Sequence, residues 1–292
     1  MVTSNLAYKA EIAPGADSAI NSNPLKWCSV SLSEVVSRGK RLEASVFDVE
    51  AVHAHSILTN GKYPAVNLIG DNGPVECAYY GGRLKRRYVS KDEMGAVGFL
   101  GSSEMLDCKP EPVKFMINDD KVKDIRIKKN TILISRSGTV GNVTYVGDTL
   151  SNFLVSEHAI RMECKEYAGY VYTFLKSKIG KQMICSTQYG AVVQEIEPEH
   201  LATVPIPDAP AELKRKIHNL IIRSFELRDE SNKLIDQATT LLVEELQLPK
   251  VSAFDVNLYN KEASVDTFSV KLSNVAGRFD ASYHVPIVDA II

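Results

Sequence analysis

The 292-residue chain carries 34 Lys and Arg against 36 Asp and Glu, and its hydrophobic fraction of 45% is ordinary for a globular protein. This composition argues against disorder, a fibrous repeat or a surface coated in positive charge, although local basic patches remain compatible with it. Five cysteines without a CxxC pair favour a reducing compartment over disulfides or a zinc site. With no apolar run of membrane-spanning length and no signal-peptide core, the sequence predicts a cytoplasmic protein with no membrane contact.

Residues 1–26 read as an N-terminal arm, and residues 27–209 as one domain. In that domain, short apolar runs are broken by Gly, Asn, Asp and Pro, which predicts an α+β fold with strands dominating its middle. The clearest elements are three strands and one amphipathic helix, predicted at Tyr63–Ile69, Ile132–Ser135, Asn142–Val146 and Tyr167–Gln182 respectively.

After Pro210 a leucine recurs at every seventh position. The heptad leucines are Leu213, Leu220, Leu227, Leu234, Leu241 and Leu248, and the alternate seam positions hold Ile217, Ser224, Ser231 and Ala238. This repeat is typical of a helix packed lengthwise against another helix. Pro210 suits the first turn and Pro249 the stop, so the segment 210–248 is predicted to form one coiled-coil-forming helix, about 37 residues of it helical and roughly 55 Å long.

A block near the start of the chain recurs near its end. Ser29–Val35 followed by Arg41–Ser45 is echoed by Ser269–Val275 followed by Arg278–Ser282, with the apolar and Arg-x-x-Ala-Ser positions in the same order. The sequence therefore predicts that residues 249–292 contain a linker and the opening of a second repeat.

Basic residues bunch in two places within the strand-rich domain. One cluster contains Arg83, Lys85, Arg86, Arg87 and Lys91, and the other contains Lys121, Lys123, Arg126, Lys128 and Lys129. Two interpretations stay open for each cluster: a solvated face, or a patch that binds phosphates.

Motifs for catalysis are missing from the sequence, which has no GxxxxGK[ST], GxSxG or HExxH and no GxGxxG after a strand. His53 and His55 share one face if they lie on a strand, yet no carboxylate or cysteine set completes a metal site there. Ser156-Glu157-His158 has residue types suited to acid–base work, but neighbours on a strand point to opposite faces, which favours a capping or hydrogen-bonding role. We predict no catalytic site and no bound metal.

The strand Ile132–Ser135 runs into a polar turn that contains Gly138. Glycine there permits a tight bend and the close approach of a ligand. The possible donors to phosphates or base edges at this turn are Arg136, Ser137 and Thr139. A hairpin with surface hydroxyls accounts for the same residues, and both interpretations stay open.

Four features in this order resemble the specificity (S) subunit of type I restriction-modification systems. They are ILISRSGTVGNVTYVG (132–147), SEHAIRM (156–162), TQYGAVVQEIEPEHLATVPIPDAP (187–210) and the long helix that follows. The resemblance covers roughly residues 27–248. In that family a target recognition domain reads one half of a split DNA site, and the helix after it is a spacer. Members usually carry two such domains, and the repeated block resembles the opening of the second.

The resemblance implies double-stranded DNA, a modification (methyltransferase) subunit and a restriction subunit as partners. It also implies a non-catalytic chain that binds no cofactor directly, with S-adenosylmethionine expected in the methyltransferase subunit. Family members pack two spacer helices antiparallel, so a second copy of this chain would supply the missing helix through a two-fold interface. We assign that interface to Leu213, Ile217, Leu220, Leu227, Leu234, Ala238 and Leu241.

Candidate base contacts follow from side-chain geometry. Arg136 can pair bidentately with guanine and Gln188 with adenine, with Ser137 and Thr139 assisting. Tyr189 would pack on a sugar or base, although a buried Tyr189 and a turn-fixing Gln188 explain these residues equally well. Phosphate contacts are assigned to Arg83, Lys85, Arg86, Arg87, Lys128 and Lys129.

Two other classes of function remain open. In the first, the leucine helix makes the chain a coiled-coil assembly module whose globular domain binds protein without DNA specificity. In the second, the chain is an enzyme, which would require His158 or His200 to lie beside a nucleophile in a cleft.

Overall fold

The computed structural model describes residues 30–37, 47–190 and 193–246. The residues outside the described part of the chain include the N-terminal arm, Ser29 and Arg41–Ser45 of the first copy of the repeated block, all of its second copy, and Leu248. The chain separates into two units, with the division between Glu230 and Ser231.

Seven α-helices occur in the described residues. They are α1 (Leu32–Ser37), α2 (Val49–Thr59), α3 (Asp148–Ser151), α4 (Ala168–Lys176), α5 (Lys178–Cys185), α6 (Pro198–Ala202) and α7 (Ala211–Glu245). His53 and His55 lie on a helix, α2, so the shared face that they would have on a strand does not form. None of the helices in the described part of the chain is both long and apolar enough to cross a membrane.

Nine strands occur in the same part of the chain. They are β1 (Ala65–Asn67), β2 (Val75–Tyr80), β3 (Ala96–Leu100), β4 (Lys114–Ile117), β5 (Ile132–Ser135), β6 (Val143–Tyr145), β7 (Leu154–Val155), β8 (Ala159–Cys164) and β9 (Pro205–Pro207). They form a four-stranded antiparallel sheet in the order β2-β8-β5-β6, a three-stranded sheet β4-β3-β7 and a two-stranded sheet β1-β9. The predicted α+β class is confirmed.

Strand β5 shows why an uninterrupted apolar run forms a strand here. It lies between β8 and β6, so both of its edges are paired. Ile132 and Ile134 point into the main core with α4 and α5, whereas Leu133 packs on the opposite face against Leu100 and Val155. A strand buried on both faces favours apolar side chains at successive positions, so period-two alternation is lost over Ile132–Ile134.

The single helix predicted over residues 167–182 is wrong. The structure places two helices there, α4 and α5, which meet at Ser177 in an extended conformation with ψ of 160°. The Ser177 hydroxyl accepts a hydrogen bond from the backbone N–H of Gly180 at 3.1 Å, as an N-cap does. Because the apolar residues of both helices face the core, the periodic pattern continues across a break that one serine creates.

The long helix predicted after Pro210 is confirmed. Helix α7 begins at Ala211, directly after the proline, and at 1.5 Å per residue its 35 residues extend about 52 Å. The Pro210 carbonyl accepts the first helical hydrogen bond from the N–H of Lys214 at 3.1 Å.

Up to Glu230, one stripe of α7 packs on the strand-rich domain. Phe225 enters the main core, with Ile217, Ile221 and Ile222 packed around the same cluster. His218 Nδ1 accepts a hydrogen bond from the backbone N–H of Gly169 at 3.0 Å, and a Cβ at Gly169 would meet the His218 backbone at 2.9 Å. The close approach therefore depends on glycine.

The heptad leucines lie on a different stripe of α7. Leu220, Leu227, Leu234 and Leu241 are exposed by 64%, 48%, 57% and 59%, and Leu213 by 37%. Among the other seam positions, Ala238 is exposed and Ile217 is half-buried. The helix thus has one stripe for its own domain and a second apolar stripe on its surface.

Asp229 connects the docking stripe to helix α3. Its carboxylate, on a residue only 7% exposed, accepts hydrogen bonds from the backbone N–H groups of Asp148 at 2.8 Å and Thr149 at 3.2 Å. These N–H groups lie at the start of α3, where the helix itself supplies no acceptor. A Cβ at Gly147 would approach the same carboxylate within 2.8 Å.

Replacing Asp229 by alanine should therefore lower the free energy of unfolding by about 1–2 kcal/mol, because two half-buried donors lose their acceptor. Urea denaturation followed by circular dichroism measures this change. Glu230→Ala, at the exposed next position, is the matched control and should stay within about 0.5 kcal/mol of wild type. Equal effects of the two substitutions would contradict the capping role.

Candidate nucleic-acid interface

Polar side chains converge at one end of the four-stranded sheet. The register pairs Tyr80 with Ile160 and Ser135 with Ala159, so the last residues of β2 and β5 lie beside the first residues of β8. The segments that leave or enter this end are the loop after Tyr80, the turn 136–142 and the turn 156–158. We call this region the polar end of the sheet. The segment that contains Gln188 and Tyr189 lies beside this end of the sheet, because Glu195 forms one β-bridge with Tyr189 and another with Ser137.

Arg136 lies at the centre of the polar end, with its side chain 13% exposed. Its guanidinium contacts Glu197 Oε1 at 2.5 Å and Glu195 Oε2 at 3.3 Å, and it lies 4.5 Å from the ring centroid of Tyr80. Burial acts to lower the pKa of Arg136, but the hydrogen bond and the charges of the two carboxylates outweigh it and raise the pKa. The arginine is therefore a charged group enclosed by anions and an aromatic ring.

Tyr189 extends the same cluster. Its hydroxyl donates to Glu197 Oε1 at 2.6 Å, and this contact raises the pKa of Tyr189 to about 12. Backbone hydrogen bonds of 2.8 and 2.9 Å pair Tyr189 with Glu195, and its ring packs edge-on against His200. Gln188, next to it, is half-buried. Arg136 and Glu197 thus hold the segment around Tyr189 against the end of β5.

A second pair forms beside this cluster, between Ser137 and His158. Ser137 Oγ lies 2.9 Å from His158 Nδ1, and the His158 side chain is 39% exposed. Residues 156–158 form a turn, so the sequence interpretation that placed them on a strand is wrong, whereas a hydrogen-bonding role for His158 is confirmed. Gly138 and Thr139 are exposed next to this pair, and Gly138 has a positive φ of 79°.

The first basic cluster lies at the same end of the sheet. Both oxygens of Glu157 accept from Arg86 Nη2 at 2.8 Å, and the Arg86 guanidinium lies 5.2 Å from the ring centroid of Phe99. Burial acts to raise the pKa of Glu157, but the hydrogen bond from Arg86 outweighs it and lowers the pKa. This pair fixes the basic loop next to the turn 156–158. Three other residues of the first basic cluster, Arg83, Lys85 and Arg87, are exposed.

The second basic cluster lies at the opposite end of β5. Lys128 and Lys129 precede the strand, whereas Arg136 follows it. Lys128 pairs with Glu163 at 3.2 Å and Lys129 with Asp148 at 2.6 Å. The structure therefore separates the two basic clusters, and it brings the first one together with Arg136, Ser137 and Thr139.

Arg161 is a residue that the sequence interpretation missed. It is 1% exposed in β8 and donates to the backbone carbonyls of Val155, Ala159 and Ile125 at 2.5, 2.8 and 3.3 Å. Burial lowers the pKa of Arg161 to about 10. These contacts hold both ends of the turn 156–158. The sequence signal for this role is an arginine inside the apolar run Ala159–Met162. Because a strand that is paired on both edges is shielded from solvent, such an arginine must find its hydrogen-bond acceptors within the protein.

The polar end also bears on the enzyme hypothesis. A serine hydroxyl hydrogen-bonded to a histidine is the arrangement of a nucleophile and its base. However, His158 Nε2 lies 4.0 Å from Glu157 Oε1, beyond a hydrogen bond, and both oxygens of that carboxylate are held by Arg86. Within residues 30–37, 47–190 and 193–246, the pair therefore has no third group hydrogen-bonded to the histidine that would orient it as a base.

No protein-family model matches the chain, and no curated protein sequence matches it. The solved structures that are similar to it include the following three. The S subunit of a type I restriction-modification system from M. genitalium is 17% identical with a TM-score of 0.40, over 62% of this chain and 47% of that one. The HsdS subunit from Thermoanaerobacter tengcongensis is 16% identical with a TM-score of 0.40, over 69% and 50%. A chain from a study of complex assembly and conformational transition in the type I R-M system is 13% identical with a TM-score of 0.41, over 73% and 53%.

All three matches come from the class of system that the sequence motifs resemble. The chain spans about half the length of these structures.

Proposed function

We propose that the chain is a non-catalytic, sequence-specific DNA-binding subunit of a type I restriction-modification complex. It would recognise one half of a bipartite DNA target and dock methyltransferase subunits. The observation that carries this proposal is the polar end of the sheet, where an exposed basic loop lies beside exposed turns rich in hydrogen-bonding groups. Sequence-specific DNA binding requires polar groups that reach base edges and, on either side of them, basic side chains that bind phosphates.

The two basic clusters would have different roles. Arg83, Lys85 and Arg87 are exposed near the polar turns and would bind phosphates. Lys128 and Lys129 lie at the far end of β5 beside carboxylates, so we assign them no contact with the same DNA groove. This division gives each cluster a testable role.

Arg136 would act differently from a free guanine-reading side chain. A bidentate contact with guanine requires its guanidinium to leave Glu195 and Glu197, which costs two charge-assisted contacts in a mostly buried site. We therefore propose that Arg136 is a positioning residue that keeps Gln188 and Tyr189 beside the turn 136–142.

Partners follow from the same proposal. The exposed leucine stripe of α7 would bind the same stripe of a second copy, giving a homodimer with two DNA-reading domains. Methyl transfer from S-adenosylmethionine and DNA cleavage would reside in the modification and restriction subunits, so this chain would need no cofactor of its own. A reducing cytoplasm suits a sequence whose five cysteines include no CxxC pair.

Selection of bound duplexes from a random library tests the proposal. We expect a defined consensus at moderate salt, and for about four phosphate contacts affinity should fall roughly 100-fold between 50 and 200 mM salt. Arg87→Ala should reduce the slope of log affinity against log salt by about 1 for each DNA-reading domain bound, because each copy loses one phosphate contact. The matched control is Lys129→Ala, which should leave the slope unchanged. A library that returns no consensus would refute DNA recognition.

The exposed leucine stripe specifically favours one alternative, a coiled-coil assembly module without DNA specificity. This alternative predicts a stable dimer that shows no duplex preference at any salt concentration. The same selection experiment, run on protein of known mass, therefore separates the two functions.

A further inference from the structure

We propose that His158 determines specificity by donating a hydrogen bond from Nε2 to the N7 of a purine in the major groove. The inference rests on the proposed function and deepens it, because it adds a base-reading residue outside the sequence motifs assigned that task. His158 is 39% exposed by its side chain, three times the exposure of Arg136 at the same end of the sheet.

The two ring nitrogens of His158 have different surroundings. Nδ1 is occupied by the Ser137 hydroxyl at 2.9 Å. Nε2 lies 4.0 Å from Glu157 Oε1, which is too far for a hydrogen bond. The negative carboxylate favours the tautomer with its proton on Nε2, and Ser137 then donates to Nδ1. His158 therefore presents an N–H donor to an incoming ligand.

The ring is held in place before DNA arrives. The His158 carbonyl accepts from the backbone N–H of Arg136 at 2.8 Å, and its own N–H donates to Ser156 Oγ at 3.3 Å. Arg161 holds the carbonyls on both sides of this turn. A donor whose backbone and ring are both fixed pays little entropy on binding and discriminates sharply between bases.

The surroundings allow a duplex to approach. Gly138, adjacent to Ser137, is exposed, and apart from Gly138 and its two chain neighbours no atom of the described residues lies within 4 Å of the position that a Cβ would take. On the other side, the Arg86–Glu157 pair fixes the basic loop, whose exposed cations would bind the flanking phosphates. Each purine shows N7 as an acceptor in the major groove, and no pyrimidine has this atom.

Duplexes in which single purines are replaced by 7-deazapurines test the inference. Starting from the selected consensus, we expect wild-type protein to lose about tenfold in affinity at one purine in each half-site. His158→Ala should lose about tenfold on the natural duplex and become insensitive to deaza substitution at that purine alone. His158→Gln, which keeps a donor, should recover part of the sensitivity.

Two further variants make the result decisive. Ser137→Ala frees the ring and should weaken the effect of deaza substitution at the same purine. His55→Ala, an exposed histidine on α2, is the matched control and should behave as wild type. The inference is overturned if His158→Ala and wild type respond identically at every purine, or if wild type responds at none. Either result would leave the consensus, and so the proposed function, intact, whereas a failed selection would remove both.

Discussion

Replacing Phe225 by alanine is expected to lower the free energy of unfolding by about 3–4 kcal/mol, the largest single-residue effect that we predict. Phe225 is 6% exposed although it belongs to a helix whose leucines are in solvent. Its ring centroid lies 5.1 Å from that of Tyr145 and 5.5 Å from that of Tyr172, both in tilted or edge-on geometry. Alanine would remove the ring and leave a cavity between β6, α4 and α7.

Urea denaturation, with the midpoint and slope fitted together, measures this effect. Arg223→Ala is the matched control, because Arg223 is 62% exposed on the same helix and its ion pair with Glu226 at 3.4 Å is a surface contact. We expect the control to change stability by less than about 0.5 kcal/mol. A loss below 1 kcal/mol for Phe225→Ala would mean that α7 is not integral to the domain.

The Phe225 contact also has a consequence for the proposed DNA recognition. His218, Phe225 and Asp229 fix the first five turns of α7 to the strand-rich domain by a close approach, an aromatic cluster and a helix cap. A spacer sets distance only if each reading domain is rigidly attached to it. The spacing between the two half-sites of the DNA target would therefore depend on these contacts between α7 and the strand-rich domain.

The leucine heptad was readable from the sequence, but the docking stripe was not recognised. His218, Ile222, Phe225 and Asp229 also recur at intervals of three and four residues, so the signal was present. The stripe is hard to read from the sequence because a histidine and an aspartate, which make specific hydrogen bonds to the domain, interrupt its apolar character. A helix that packs on two sides carries two overlapping periodicities, and the more uniform one dominates the pattern.

Strand β5 and the long helix were predictable because each depends on local composition. The break between α4 and α5 was not, since Ser177 can sit inside a helix or cap one, and tertiary packing decides between them. Arg136 illustrates a further limit. The sequence shows a polar arginine after a strand, but the partner Glu197 lies 61 residues away, and its position depends on how the Tyr189 segment folds back.

The apolar stripe on α7 leads to the second prediction with a large effect. Replacing Leu220, Leu227 and Leu234 together by glutamine should convert a dimer into a monomer of 32.2 kDa. The substitutions would remove six leucine side chains from a two-fold interface, three from each copy. At about 1.5 kcal/mol for each side chain, their burial contributes roughly 9 kcal/mol to the stability of the dimer. Losing that amount would exceed the stability of a micromolar dimer.

Light scattering coupled to size-exclusion chromatography measures the mass, and near-ultraviolet circular dichroism checks the fold of the strand-rich domain. The triple variant should retain that fold, because these three side chains are 64%, 48% and 57% exposed and make no part of the core. The control is a second triple variant with the same number of glutamine substitutions at exposed positions of the same helix. It replaces Arg223, Glu226 and Glu230. A dimer that persists in the leucine variant would show that the two copies meet elsewhere.

The same variant should separate affinity from base preference. A monomer keeps the polar end of the sheet intact, so its base preference within a half-site should be unchanged. The apparent affinity for a bipartite duplex should fall at least 100-fold, because the second domain no longer binds as part of the same molecule. If the triple variant instead bound the bipartite duplex as tightly as wild type, each chain would act alone, and the exposed leucines would have to serve another partner.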